Sequence, residues 1–158
     1  MFRKRQRAGS VTRVLLLAVI GAAVGWLGWK VIVPSPGEEA WATVNEFYQY
    51  EQEGNFSESW ELFHPFMKEK FDKGHYLQDR AHVFMNHFGV ETFEYSLDDP
   101  VELEIWKPAE DGPEFKIVYR VTVVQQYKGK YGNFSIEQDV FVVEEKDEWL
   151  VMWNYNEQ

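Results

Sequence analysis

FKIVYRVTVVQQYKGKYGNFSIEQDVFVV, residues 115–143, carries the pattern that decides the fold. Phe115, Ile117, Tyr119, Val121 and Val123 alternate with a period of two, which puts them on one side of a strand. Lys128-Gly129-Lys130-Tyr131-Gly132 predicts a turn, and Phe134, Ile136, Val140 and Val142 resume an apolar series after it. Two long strands joined this way form an antiparallel hairpin. Lys146-Asp147 predicts another tight turn, followed by a last strand on which Trp149, Val151, Trp153 and Tyr155 share a face. On the other side, Phe93, Tyr95 and Leu97 alternate, as do Val101, Leu103 and Ile105. Short loops between these runs predict a meander of four or five antiparallel strands.

Before residue 91 the period becomes helical. Ser35-Pro36-Gly37-Glu38 reads as a helix start, with Ser35 as cap, proline at the first helical position and Glu38 closing a capping box. Trp41, Val44, Phe47 and Tyr48 follow at helical spacing, and Gly54 ends the run. Asn55 opens a second helix, with Glu58 three residues on and Phe56, Trp60 and Phe63 along one face; His64-Pro65 ends it. A short piece around Met67 and Phe71 leads to a helix from about His75 to Phe88, striped by Leu77, Ala81, Phe84 and Phe88. Helices followed by antiparallel strands give an α+β fold.

The N-terminus is of another kind. Arg3, Lys4, Arg5, Arg7 and Arg13 form a basic segment over residues 1–13, and residues 14–33 are apolar apart from Lys30. Such a run is about the length of a transmembrane helix. Basic residues flanking a span stay on the cytoplasmic side, so the chain is expected to be a single-pass protein of the cell membrane, N-terminus in and C-terminal domain extracytoplasmic. Trp26, Trp29 and Lys30 suit the outer interface. Cleavage as a signal peptide near Gly21-Ala22-Ala23 is the rival reading, disfavoured because the apolar run continues past that point. Gly21, Gly25 and Gly28 form a small-residue face through which two spans could self-associate into a homodimer. Residues 34–37 then act as a linker, and residues 38–158 as one domain.

After residue 34 ten basic residues face all 26 acids. That balance excludes nucleic acid as a partner, because phosphate binding needs clustered lysine and arginine. The chain has no cysteine, so disulfides, thiolate metal sites and cysteine catalysis are excluded. Their absence from a small exported domain favours a bacterial envelope. His64, His75, His82 and His87 include no pair at i, i+4 spacing, so neither a metal site nor a cofactor is expected.

The helix carrying Phe47 and Tyr48, the Gly54-Asn55 break, the helix carrying Trp60, Leu62 and Phe63 up to His64-Pro65, and the long strands ending in Trp149 to Tyr155 together give a familiar plan. Over residues 38–156 it resembles the nuclear-transport-factor-2-like (NTF2-like) superfamily, a cystatin-like cone of helices held in a strongly curved antiparallel sheet. The resemblance implies a cone that serves as catalytic pocket, ligand pocket or plain core. Bitopic members resemble assembly subunits of secretion and conjugation machines. Enzymes of this kind, such as isomerases and dehydratases, place an aspartate base beside tyrosine or histidine. Here the polar candidates for ligand binding are Asp79, His82, Gln125, Tyr127 and Gln138, while Asp139 falls on the outward register. With no inward carboxylate identified beside a tyrosine, no catalytic residue is assigned and a non-enzymatic interaction or accessory module is expected. The alternatives are a small-molecule-binding domain and a secretion or conjugation subunit. Trp106 or Trp153, if exposed on the convex side of the sheet, would mark a protein contact.

Overall fold

In the computed structural model the described residues are 15–22, 33–82, 89–90, 92–110 and 112–154. The chain divides into two units, Met1–Ser35 and Pro36–Gln158. In the first, residues 15–22 form helix α1, with the side chains of Leu15, Leu16, Leu17, Val19 and Ile20 exposed. No helix among the described residues is long and apolar enough to cross a membrane, so the transmembrane helix expected over residues 14–33 is not found there. Residues 14 and 23–32, with Trp26, Trp29, Lys30, Gly25 and Gly28, lie outside the described residues. Gly21 is exposed, and a Cβ on it would meet nothing within 4 Å.

The second unit has the expected α+β order. Helix α2 (Pro36–Glu53) buries Ala40, Val44, Phe47, Tyr48 and Glu51 along one stripe. Its end is a Schellman motif: Gly54 takes φ 75°, the Asn55 N–H reaches the Tyr50 carbonyl at 2.8 Å and the Gly54 N–H reaches that of Glu51 at 3.2 Å. Glycine is suited to that left-handed position because it has no Cβ to clash. Helix α3 (Phe56–Glu61) begins after Asn55, but the Asn55 side chain makes no capping bond and its amide donates instead to Glu53 at 2.9 Å. Helix α4 (Pro65–Lys70) is capped by His64, whose Nδ1 accepts from the Phe66 N–H at 3.1 Å. Helix α5 (Lys73–Ala81) starts two residues before the expected position, where the Asp72 carboxylate accepts from Gly74 and His75. Its buried side chain is Tyr76, beside the half-buried Leu77. Residues 83–88, with Phe84, His87 and Phe88, lie outside the described residues.

The five strands among the described residues lie in one antiparallel sheet: β1 (Phe93–Leu97), β2 (Val101–Trp106), β3 (Phe115–Gly129), β4 (Gly132–Glu145) and β5 (Glu148–Trp153). The topology departs from a plain meander. β1 does not pair with β2; both pair with the same long strand, β1 against residues 123–127 of β3 and β2 against residues 115–120. The expected loops do close β3 on β4 at Gly129↔Gly132 and β4 on β5 at Glu145↔Glu148. Lys146 and Asp147 both have positive φ, 56° and 65°, the type I′ geometry that matches strand twist.

Phe47 sits at the centre of the helix–sheet contact, with ring centroids 5.1 Å from Phe63, 5.3 Å from Tyr48 and 5.8 Å from Trp153. The α3–α4 junction is pinned to β5: the His64 N–H donates to the Val151 carbonyl at 3.0 Å and the Val151 N–H to that of Leu62 at 2.8 Å. These bonds use up part of an otherwise open strand edge. Asp139 is exposed, as its register predicts, yet Val118, Phe141, Val143 and Met152 on that same outward register are buried. Trp106 stacks on Phe141 at 4.2 Å and 17°. Trp106 is thus core, and Trp153 packs against Phe63 at 4.8 Å, so neither marks an exposed convex contact.

Candidate functional site

The interior polar site is built from three helices. Glu51 continues the buried stripe of α2 one turn past Phe47, and its side chain is fully enclosed. Ser59 of α3 donates its hydroxyl to Glu51 Oε1 at 2.5 Å, and the Tyr76 hydroxyl donates to the same oxygen at 2.6 Å. Arg80 lies four residues beyond Tyr76, on the same face of α5. Its Nε donates to Glu51 Oε2 at 2.5 Å, and its Nη2 also pairs with that oxygen. A carboxylate has about four lone-pair positions, and all are taken by these donors.

Toward the sheet the site continues through hydroxyls and amides. Tyr48 donates to Gln138 Oε1 at 3.2 Å, and Tyr127 donates to Gln125 Oε1. Burial raises the hydroxyls of Tyr48, Tyr76 and Tyr127 well above the usual phenol range; the Glu51 carboxylate adds to this and the Arg80 charge opposes it. These phenols stay protonated. For Arg80, burial works against the charge, but Glu51, Tyr76 and Tyr127 outweigh it and the net shift is upward. The interior is therefore a fixed ion pair ringed by neutral hydrogen-bonding groups.

Of the residues predicted from sequence, Gln125, Tyr127 and Gln138 belong to this interior. Asp79 and His82 do not, because the side chains of both are exposed. Sequence reasoning missed Glu51, the inward carboxylate beside a tyrosine. Its signal was present: Val44, Phe47, Tyr48 and Glu51 follow one helical stripe, which places the charge among core positions. No group of three or more metal-ligating side chains occurs among the described residues.

A second feature is an open groove of about 410 Å³ between α4 and the end of the β4–β5 hairpin. Pro65, Phe66, Pro113 and Phe115 give it apolar walls, and Glu69, Glu144 and Glu145 give it an acidic rim. His64, at the base, has Nε2 3.0 Å from Glu145 Oε2. Because Nδ1 accepts from Phe66, the proton of the neutral ring lies on Nε2 and points at Glu145. Lys146 stands at the rim, 3.4 Å from Glu145.

No protein-family model and no curated protein matches the chain.

Proposed function

We propose that the protein is a membrane-tethered, extracytoplasmic interaction or accessory module of the bacterial envelope, with an NTF2-like cone and no catalytic role. The observation that carries this reading is the state of Glu51. A general base needs a lone pair within reach of the proton it abstracts, and both oxygens of this carboxylate are committed to Arg80, Ser59 and Tyr76. The basic segment and apolar run before Pro34 support the tether. Tethering confines the module to two dimensions and raises its effective concentration near other membrane proteins. An assembly subunit of a secretion or conjugation machine is one form of the same role.

Crosslinking in intact cells followed by identification of the adducts tests it. Reproducible adducts with other envelope proteins are expected. Catalytic turnover that is abolished by Glu51→Gln would overturn the reading.

One observation favours a second reading, small-molecule binding in the cone. The indole N–H of Trp153 is buried with no hydrogen-bond partner among the described residues, although it lies among Phe47, Phe63 and Phe71. A ligand acceptor there would satisfy it. Native mass spectrometry of the purified full chain decides this: a retained small molecule supports the second reading, and a bare protein mass the first.

A further inference from the structure

The groove beside His64 combines two kinds of surface that call for one kind of occupant. Its walls are prolines and phenylalanines, which favour an aromatic or proline side chain over a fully hydrated one. Its rim is acidic: Glu69 and Glu144 are exposed and have no ion pair or hydrogen bond among the described residues, and Glu145 is shared by His64 and Lys146. The groove's lining holds three carboxylates and no lysine or arginine, on a unit with ten basic and 26 acidic side chains. Two uncompensated carboxylates at the mouth of an apolar groove attract a cation and repel an anion. Phe66 and Phe115 present ring faces or edges to whatever enters, and a guanidinium or ammonium gains on an aromatic face as well as on a carboxylate.

The groove is also held in shape from behind. His64 is at once the cap of α4, the donor to Glu145 and, through its backbone N–H, the link to β5. Its ring packs edge-on against Phe115 at 5.1 Å. One buried residue thereby fixes the α4 wall, an acidic rim group and an aromatic wall relative to one another, which lowers the ordering cost that binding would otherwise carry.

We propose that this groove is the docking site for an extended segment of a partner protein in which lysine or arginine stands next to an aromatic residue or proline. The proposal rests on the interaction-module reading and names the chemistry of the partner. Phenylalanine or proline of the segment seats between Phe66 and Phe115, and the adjacent cation reaches Glu69 and Glu144.

The test uses the full chain and a fluorescein-labelled nonapeptide alternating arginine and phenylalanine. Two controls replace arginine by glutamate or phenylalanine by alanine. The arginine–phenylalanine peptide is expected to bind in a fluorescence-anisotropy titration, more weakly as salt rises. Glu69→Lys/Glu144→Lys is expected to weaken it by at least about tenfold and to take up the glutamate peptide instead. The alanine peptide is expected to bind at least about tenfold more weakly to the unmodified chain. Because Glu69 and Glu144 are exposed and have no side-chain partner among the described residues, the double variant keeps the fold, which a thermal melt checks, and Glu144→Gln gives a milder second point. Equal binding to the unmodified chain and the double variant, or no binding to either, overturns the proposal.

Crosslinking in cells separates this outcome from failure of the module reading. Adducts that vanish in the double variant support the groove, whereas adducts that persist unchanged overturn the groove and leave the module standing. If the unmodified chain yields no adducts, the module reading fails and the peptide titration alone decides the groove.

Discussion

Glu51 and Arg80 form a buried pair whose members are costly to separate. Glu51→Ala leaves the guanidinium facing Ser59 and Tyr76 without a counter-charge, and breaking a buried pair in this way costs about 3–5 kcal/mol. Urea denaturation is expected to show that loss. Glu51→Leu/Arg80→Leu is expected to recover part of it, because apolar replacement of both partners removes the unpaired charge, although Ser59 and Tyr76 lose the acceptor they share.

His64 gives a pH signature at the same scale. Burial pulls its pKa below the ordinary histidine value, and the Glu145 carboxylate offsets this only in part. A base with a lowered folded pKa binds fewer protons folded than unfolded. Its contribution to stability is therefore full above about pH 6.5 and is lost as the pH falls through the folded pKa. Protonation of Nδ1 would also cost the Phe66 capping bond. Thermal melts of the unmodified protein are expected to decline on acidification from that point. His64→Asn, which keeps a side-chain cap without a titrating ring, is expected to flatten the decline.

Among the elements, the β4–β5 turn holds two residues in a backbone conformation that does not suit them. Both Lys146 and Asp147 sit at positive φ, where asparagine and glycine are preferred. Asp147→Gly is expected to raise stability by about 0.5–1 kcal/mol, read as a higher urea midpoint with unchanged slope. Ile117 is a comparable case inside a strand, with φ 59° at a β-branched residue. There the β3–β4 ladder stops at Val118↔Val143 and the β2–β3 pairing skips a position. The turns at residues 130–131 and 146–147 and the bounds of α2 were legible in the sequence because each rests on local chemistry: glycines, short loops, a Schellman end. Which strands pair was not. The apolar alternation of β1 and β2 specifies strands, but it says nothing of their sharing one edge of β3.

Across the whole molecule the sheet is buried on more than one side. At one end the helices cover the Tyr119 to Tyr127 register, and Val118, Phe141, Val143 and Met152 are buried on the alternate register, where Trp106 stacks on Phe141. Trp106→Ala opens a large cavity there, and a loss of about 3–5 kcal/mol is expected in denaturant titration. Retention of the α2 aromatic cluster in the same variant, read from the near-ultraviolet signal of Tyr48 and Trp153, would place the damage on the outward register alone.

The sequence by itself determined the secondary-structure periods, the α+β order, the acid excess after residue 34 and the basic and apolar N-terminus, because each is written in nearest neighbours or in simple counts. Only the tertiary structure decided that Glu51, Ser59, Tyr76 and Arg80 meet, that Asp79 and His82 stay exposed outside that group, and that α4 and the β4–β5 hairpin border an acidic groove. The reason is distance along the chain. Residues up to 90 positions apart in the polar site, and about 80 apart in the groove, come together through the packing of helix stripes on a curved sheet, and no local pattern encodes the angle at which those surfaces dock.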